Sequence, residues 1–341
     1  MQYRQLGQTG LRVSEIGFGC AHTGGLMPFG SPKERVEAVA YALEQGINYF
    51  DTAPAYADGL SELHLGEAFK ELGVRPTINT KIVIEPEEVD EIASGVVRCV
   101  DESLRRLQLD HVDIVHLHLR VGAQRKIGEG ATHGILFSVD DVLGSKGVVE
   151  GFERVRAAGK AQFFGLNGLG GEPEANYQVI DSGTMDSIMV SYNLINPTAG
   201  MPAPTGFERP DYGQTMNRAA ARGMAVVVAA PLATGALSGA PVHPLATGRE
   251  GPRYEENASV ANAFNFLVEE EGGTLAQAAI RFVLSRPEVS TVLVGFSCKE
   301  HIDDAIACSD GQGLSAGARA QLAELYRRGF RGFGSAASKE G

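Results

Sequence analysis

The sequence alternates strand-like and helix-like segments eight times, and this alternation constrains the fold more than any other feature. Short runs rich in β-branched and aromatic residues occupy 14–18, 47–51, 78–84, 112–118, 162–166, 187–190, 224–229 and 291–294. Helix-like stretches follow at 31–46, 61–72, 87–107, 147–158, 174–180, 214–222, within 254–285 and at 299–307. Alternating strands and helices indicate a parallel sheet, and eight units of about 40 residues fit an α/β fold, the closed (β/α)8 TIM barrel. A doubly wound open sheet is the alternative.

The two ends of the chain do not follow this repeat. Residues 3–6 and 11–13 flank the turn sequence Gly7-Gln8-Thr9-Gly10, which predicts an N-terminal β-hairpin ahead of the barrel. The last residues are small and polar, a composition typical of a frayed terminus. We therefore predict a single barrel domain at residues 1–330 and a flexible C-terminal tail at 331–341.

Composition narrows the classes of function. The chain has 341 residues, 43 of them glycine, and a formal net charge of −12. The acidic excess argues against a nucleic-acid partner, because nucleic-acid-binding surfaces are basic. The longest apolar run, 224–233, is shorter than the roughly twenty residues of a membrane span, and the first residues lack a signal-like apolar stretch. We expect a cytoplasmic protein that acts on a small molecule, without a membrane partner.

The many glycines do not form the GxGxxG fingerprint of a dinucleotide-binding turn. Gly17 and Gly19 follow the first predicted strand, but the third glycine of a GxGxxG pattern would fall at His22. A second candidate pattern begins with Gly168 and Gly170, but its third glycine would fall at Pro173. A nucleotide, if one binds, is not held by a Rossmann turn.

One pair of histidines has the spacing of metal ligands. His116 and His118 are two residues apart on a predicted strand, so their side chains share a face as a zinc pair would require. No second histidine cluster supplies further ligands, and we predict no metal site. A metal-dependent barrel hydrolase built on this pair is retained as an alternative.

Four chemistry-bearing side chains lie in or just after neighbouring predicted strands: Asp51, Tyr56, Lys81 and His118. In a barrel, the ends of adjacent strands bring such side chains together at the C-terminal mouth. An ammonium near Tyr56 favours its phenolate, so we expect Lys81 to lower the pKa of Tyr56 and Asp51 to orient Lys81. Tyr56 could then exchange a proton with a carbonyl or alcohol oxygen. The competing interpretation is a surface tyrosine beside a structural Asp–Lys pair.

At these residues the sequence resembles the aldo-keto reductase family. GINYFDTA at 46–53, then Tyr56, then SELHLG at 61–66 look like the family signature, and Lys81 and His118 occupy its other two catalytic places. The hairpin and the segments 231–239 and 295–297 also match, so the resemblance spans the chain. It implies reversible reduction of an aldehyde or ketone with a nicotinamide cofactor, NADP(H) being favoured and NAD(H) the alternative.

The resemblance also assigns roles to individual residues. Tyr56 would be the general acid, with Lys81 and Asp51 setting its pKa and His118 orienting the carbonyl. The implied cofactor-binding positions are Asp51, Asn167, Met189, Pro231, Leu232, Gly235, Leu237, Gly295, Ser297, Lys299, His301 and Asp304. Three positions depart from the family pattern near the nicotinamide: Gly168, Met189 and Ala229 stand where an asparagine, a glutamine and an aromatic residue are usual.

Two long connections follow predicted strands, at 120–141 and 196–212, and we predict that they form the substrate pocket. Basic residues in the first connection indicate a sugar, a hydroxy-aldehyde or an acidic substrate; they are Arg120, Arg125, Lys126 and His133. Ordinary solvated charge is the alternative explanation. The altered nicotinamide positions also leave room for a different function, a weakly catalytic nicotinamide-binding regulatory protein of the same fold.

Overall fold

A closed barrel of eight parallel strands forms the centre of the protein. The computed structural model describes residues 1–128, 134–204, 206–239 and 247–329. The strands in this part of the chain are β1 Tyr3–Gln5, β2 Arg12–Ser14, β3 Ile16–Gly19, β4 Tyr49–Asp51, β5 Thr77–Ile82, β6 Val112–Leu117, β7 Arg120–Gly122, β8 Lys126–Ile127, β9 Ile135–Ser138, β10 Ala161–Gly168, β11 Ser187–Ser191, β12 Ala225–Ala229 and β13 Thr291–Gly295. The barrel order is β10-β11-β12-β13-β3-β4-β5-β6, and β6 pairs back to β10. The predicted (β/α)8 barrel is confirmed.

Helices follow the barrel strands and pack on one another around them. Those described are α1 Leu26–Phe29, α2 Pro32–Glu44, α3 Leu60–Leu72, α4 Ile92–Leu107, α5 Val139–Leu143, α6 Val148–Ala157, α7 Pro173–Asp181, α8 Thr215–Ala221, α9 Thr247–Ala261, α10 Phe266–Glu271, α11 Leu275–Leu284, α12 Lys299–Ile306 and α13 Ala316–Arg327. In α4 the buried residues Val96, Val100 and Leu104 recur every four positions, the spacing of one helix face. None of the described helices combines the length and apolarity needed to cross a membrane.

The N-terminal hairpin closes one end of the barrel. β1 and β2 pair antiparallel, as predicted. Leu6 and Val13, both fully buried, pack with residues of the barrel interior that include Ile114 and Val227. At Gly7 (φ 54°) an added Cβ would lie 2.3 Å from the backbone nitrogen of Ala225. The hairpin therefore covers the amino end of β12, which leaves the opposite end of the barrel open.

Two features differ from the sequence prediction, and two predictions fall outside the described residues. The connection after β6 folds into a small sheet, β7-β9-β8, followed by the short helix α5. Helix α4 begins at Ile92 rather than at 87, because a 3₁₀ turn at Pro86–Glu88 precedes it. His133 and the predicted tail at 331–341 lie outside the described residues.

Candidate active site

The carboxyl ends of the barrel strands open into a cleft of about 890 Å³. Twelve of the residues assigned from the sequence line it: Asp51, Tyr56, His118, Asn167, Met189, Pro231, Leu232, Gly235, Gly295, Ser297, His301 and Asp304. Three assigned residues do not. Lys81 lies behind Tyr56, Leu237 is fully buried, and the Lys299 ammonium packs over the Tyr41 ring at 3.8 Å from its centroid.

A buried ion pair lies beneath the cleft. Lys81 Nζ donates to Asp51 Oδ1 at 2.7 Å and to the Thr52 carbonyl at 2.8 Å, and both charged side chains are almost completely buried. The second carboxylate oxygen of Asp51 accepts from Asn79 Nδ2. Burial opposes the charge on Lys81, but Asp51 and Tyr56 outweigh it, so the pKa of Lys81 lies above its ordinary value. Lys81 is therefore an ammonium at neutral pH.

The aromatic ring of Tyr56 lies between this pair and two imidazoles. Lys81 Nζ is 4.7 Å from the ring centroid, and His118 stands edge-on to the ring at 5.8 Å between centroids. His22 makes a similar edge contact at 5.7 Å. The structure thus brings together the four side chains that the sequence singled out.

The pKa of Tyr56 does not follow the sequence expectation. Burial raises it above its ordinary value, and the opposing effect of Lys81 is smaller. Lys81 does act to lower the pKa, as expected, but the net shift is upward because burial removes the water that would solvate a phenolate. At neutral pH Tyr56 carries its proton, which is the form that a proton donor needs.

The loop that carries Tyr56 is anchored by a histidine in the connection that follows β3. Ala57, Asp58 and Gly59 have φ values of 50°, 53° and 86°, all in the left-handed region. His22 Nε2 accepts a hydrogen bond from the Ala57 N–H at 2.8 Å. His22 was not predicted as a site residue; its place just after the first predicted strand, at the barrel mouth, is the sequence signal for it.

A chain of hydrogen bonds continues from Asp51 into the barrel. His116 Nδ1 is 2.7 Å from Asn79 Oδ1, and His116 Nε2 is 3.0 Å from Ser187 Oγ. Since an amide oxygen can only accept, Nδ1 carries the hydrogen and Nε2 accepts from the serine hydroxyl. Burial lowers the pKa of His116 to about 3, so the ring is neutral.

These hydrogen bonds remove the basis of the metal-hydrolase alternative. Both ring nitrogens of His116 are engaged and neither is offered to a metal beside His118. Within the described ranges, no group of three or more histidine, cysteine, aspartate or glutamate side chains is arranged to hold a metal ion.

Glycines and tightly turned backbone line part of the cleft, as close contact with an extended ligand requires. In the loop after β12, Ala233, Thr234 and Gly235 are consecutive left-handed residues with φ values of 48°, 61° and 90°. The loops after β3 and β13 touch so closely that a Cβ on Gly24 would lie 2.5 Å from the nitrogen of Phe296. This glycine-lined cleft, near the upper end of usual ligand pockets in volume, fits an elongated dinucleotide.

Two of the three positions that depart from the family pattern are at the cleft wall. Met189 and Ala229 line it, while Gly168 lies on β10, where an added Cβ would meet Ile188 Cδ1 at 2.8 Å. Asn167 donates a hydrogen bond to the backbone carbonyl of His118. Its amide therefore also fixes the backbone that follows β6. The Asn167 amide therefore binds backbone as well as lining the cleft.

Comparison with known proteins agrees with this architecture. A sequence model of the Aldo/keto reductase family matches residues 15–327. The chain is 30% identical over 316 residues to L-galactose dehydrogenase from Arabidopsis thaliana, covering 90% of this chain and 88% of that protein. It is 26% identical over 333 residues to "Probable voltage-gated potassium channel subunit beta" from Arabidopsis thaliana, covering 91% and 92%.

A solved structure shares the fold across the chain. It is aldo-keto reductase AKR11C1 from Bacillus halodurans in its holo form, with a TM-score of 0.69 and 26% sequence identity, covering 95% of this chain and 96% of that one. The family match, the barrel and this likeness cover nearly the same residues. The chain therefore belongs to the aldo/keto reductase family, whose members are nicotinamide-dependent oxidoreductases that interconvert carbonyls and alcohols.

Proposed function

We propose that the protein interconverts the aldehyde or ketone of a hydroxylated, sugar-like substrate and the corresponding alcohol, with Tyr56 as the general acid and base. The observation that carries the proposal is the position of Tyr56. It lines the cleft between the His118 ring and the buried Lys81–Asp51 pair. A bound nicotinamide cofactor supplies the hydride in reduction and accepts it in oxidation.

The protein's own groups handle the proton. As negative charge develops on the carbonyl oxygen, the protonated Tyr56 donates to it, and the Lys81 ammonium stabilises the phenolate that remains. Asp51 holds Lys81 in place through the 2.7 Å hydrogen bond. In oxidation the phenolate must accept a proton, and a positively charged oxidised nicotinamide nearby would favour that phenolate.

Residues at the far end of the cleft would hold the cofactor. Pro231, Leu232 and Gly235 line the cleft in the loop after β12 and would hold the pyrophosphate, and Gly295, Ser297 and His301 line the end beside α12. The proposal keeps NADP(H) as the favoured form, because His301 and the α12 N-terminus suit an added phosphate. Asp304 lines the same end and would suit a ribose hydroxyl of NAD(H). The ratio of the dissociation constants for NADPH and NADH decides between the two forms.

Polar side chains support a hydroxylated substrate. Asn193, Asn196, Arg209 and Asp211 line the cleft wall formed after β11. The similarity to a dehydrogenase named for L-galactose agrees with a sugar or hydroxy-aldehyde. We therefore propose an assay panel of aldoses, hydroxy-aldehydes and their alcohols, run in both directions.

The mechanism is tested by Tyr56→Phe. We expect kcat to fall by about 10² to 10⁴, the usual contribution of a general acid, because the ring remains but the proton is gone. NADPH binding, measured by quenching of its fluorescence, should change by less than about twofold. Tyr49→Phe is the matched control, because that hydroxyl is fully buried in the barrel and does not line the cleft.

Two results would contradict the proposal. Unchanged turnover in Tyr56→Phe would show that another group moves the proton. Tight NADPH binding by the wild-type protein with no turnover across the panel would favour the regulatory alternative, for which the likeness to a potassium channel subunit is the supporting observation.

A further inference from the structure

Arg120 is placed in the cleft wall by the small sheet that follows β6. It lies two residues beyond His118 and begins β7, and its side chain lines the cleft. The guanidinium lies against Gly170, where an added Cβ would be 2.7 Å from Nε and 3.1 Å from Cζ. Only a glycine at that position leaves room for this orientation of the arginine.

The other basic residues of this region have different surroundings. Arg125 is paired with the carboxylate of Asp141, and Lys126 is exposed on β8; neither lines the cleft. Arg209 does line it but is paired with Glu256 at 3.2 Å. Of the basic residues singled out in the 120–141 connection and described in the structure, Arg120 is therefore the one that faces the cleft.

Arg120 has no carboxylate to balance its charge among the described residues. Burial lowers the pKa of Arg120, Tyr212 opposes this shift, and Arg253 adds to it. No acidic side chain in the described ranges lies within ion-pair distance of its guanidinium. A half-buried cation without a carboxylate partner is costly unless an anion completes the site.

We propose that Arg120 binds an oxyanion carried by the substrate, a carboxylate or a phosphate, so that the preferred substrate is an acidic sugar or hydroxy-aldehyde. This inference rests on the proposed function, because it names the substrate class of the same cleft. The planar guanidinium can bind such a group through two parallel hydrogen bonds, which gives both affinity and orientation. Arg120, His118 and Tyr56 line the same cleft, so an anion held by Arg120 would leave the carbonyl free to reach Tyr56.

Matched substrates test the inference. Galactose, glucose and mannose are each assayed with the uronic acid and the 6-phosphate of the same configuration, in both directions. For the wild-type protein we expect kcat/KM to be at least about tenfold higher for an acidic form than for its neutral parent. A preference for the uronic acid indicates a carboxylate site, and a preference for the 6-phosphate indicates a phosphate site.

Variants assign the preference to Arg120. Arg120→Met should lower kcat/KM for the acidic substrate by about tenfold to a hundredfold, mainly through KM, and leave the neutral sugar within about twofold. Arg120→Lys should retain part of the preference, since it keeps the charge and loses the paired hydrogen bonds. Lys126→Met removes a positive charge outside the cleft and should leave kcat/KM for both the acidic and the neutral substrate unchanged.

The outcomes separate this inference from the proposed function. Equal kcat/KM for neutral and acidic sugars in the wild-type protein, or an equal loss for both in Arg120→Met, overturns the role of Arg120 while turnover still supports the reaction. If no sugar is turned over, calorimetric titration of the uronic acids and sugar phosphates still decides. Binding that weakens at least tenfold in Arg120→Met supports the inference, and unchanged or absent binding overturns it.

Discussion

Lys81 and His116 are in register on neighbouring strands, yet Lys81 is positively charged and His116 is neutral. The Asp51 carboxylate 2.7 Å from Lys81 keeps the ammonium charged in spite of burial. His116 has only neutral partners, Asn79 and Ser187, and the positive charge of Lys81 lowers its pKa further. Burial disfavours the charged form of both side chains, and only Lys81 has a carboxylate partner that overcomes it.

This difference predicts a pH dependence of stability. The pKa of His116 is about 3 in the folded protein against 6.5 ordinarily, so the unfolded chain takes up a proton first as the pH falls. The stabilisation is complete above pH 6.5 and is lost as the pH falls from 6.5 toward 3, by at most about 1.4 kcal/mol per pH unit. We expect the free energy of unfolding, measured in urea between pH 6.5 and 4, to fall more steeply in the wild-type protein than in His116→Leu.

The variant comparison isolates this group from the many carboxylates that also titrate. His116→Leu lowers stability at every pH, because Asn79 and Ser187 lose a partner, so the slope rather than the absolute value is compared. His111→Gln, at an exposed position, should keep the wild-type slope. Equal slopes for the wild-type protein and His116→Leu would contradict a neutral buried His116.

At the level of elements, three neighbouring strands make room for the His116 ring. His116 on β6, Gly165 on β10 and Ser187 on β11 are in register across the sheet. A Cβ on Gly165 would lie 2.2 Å from Cδ2 and Nε2 of the imidazole. The glycine is therefore required by its neighbour's side chain rather than by its own backbone conformation.

A double-mutant cycle tests this packing. Gly165→Ala should destabilise the protein by roughly 1–3 kcal/mol, the usual cost of overpacking a core. In His116→Ala the same change should cost less, because the ring is gone and the Ser187 hydroxyl, 2.5 Å from the added Cβ, is the close contact that remains. The free energies of unfolding of the four proteins give the coupling, and additive losses would show that His116 is not the obstacle.

Elements differed in how far the sequence predicted them. The eight barrel strands were found because each has several apolar residues between glycine or polar breaks. The strands β7, β8 and β9 have two to four residues each, too short for periodicity to show. Their positions depend on pairing with one another, which is a tertiary contact, and they are what places Arg120 in the cleft wall.

Across the whole molecule, the two ends of the barrel have separate tasks. The hairpin covers one end with Leu6 and Val13, while the cleft with Tyr56 opens at the other. Stability and ligand binding can therefore be changed independently.

Leu6→Ala tests this separation. We expect a loss of about 2–5 kcal/mol in the free energy of unfolding, because Leu6 is fully buried and a cavity remains. NADPH affinity at low temperature should stay within about twofold of the wild-type value. Leu11→Ala, at a partly buried position of the same hairpin, should cost less. A loss for Leu6→Ala no larger than that for Leu11→Ala would contradict the role of the hairpin as a closing element.

The amino-acid sequence by itself determined the barrel, the hairpin and the set of four side chains that includes Tyr56. Strand and helix patterns are local, and parallel topology then brings the strand ends together. Only the tertiary structure decided which charges face the cleft: Arg120 does, whereas Lys299 packs on Tyr41. It also decided the protonation of Tyr56 and His116, because the pKa of each depends on burial and on partners distant in sequence.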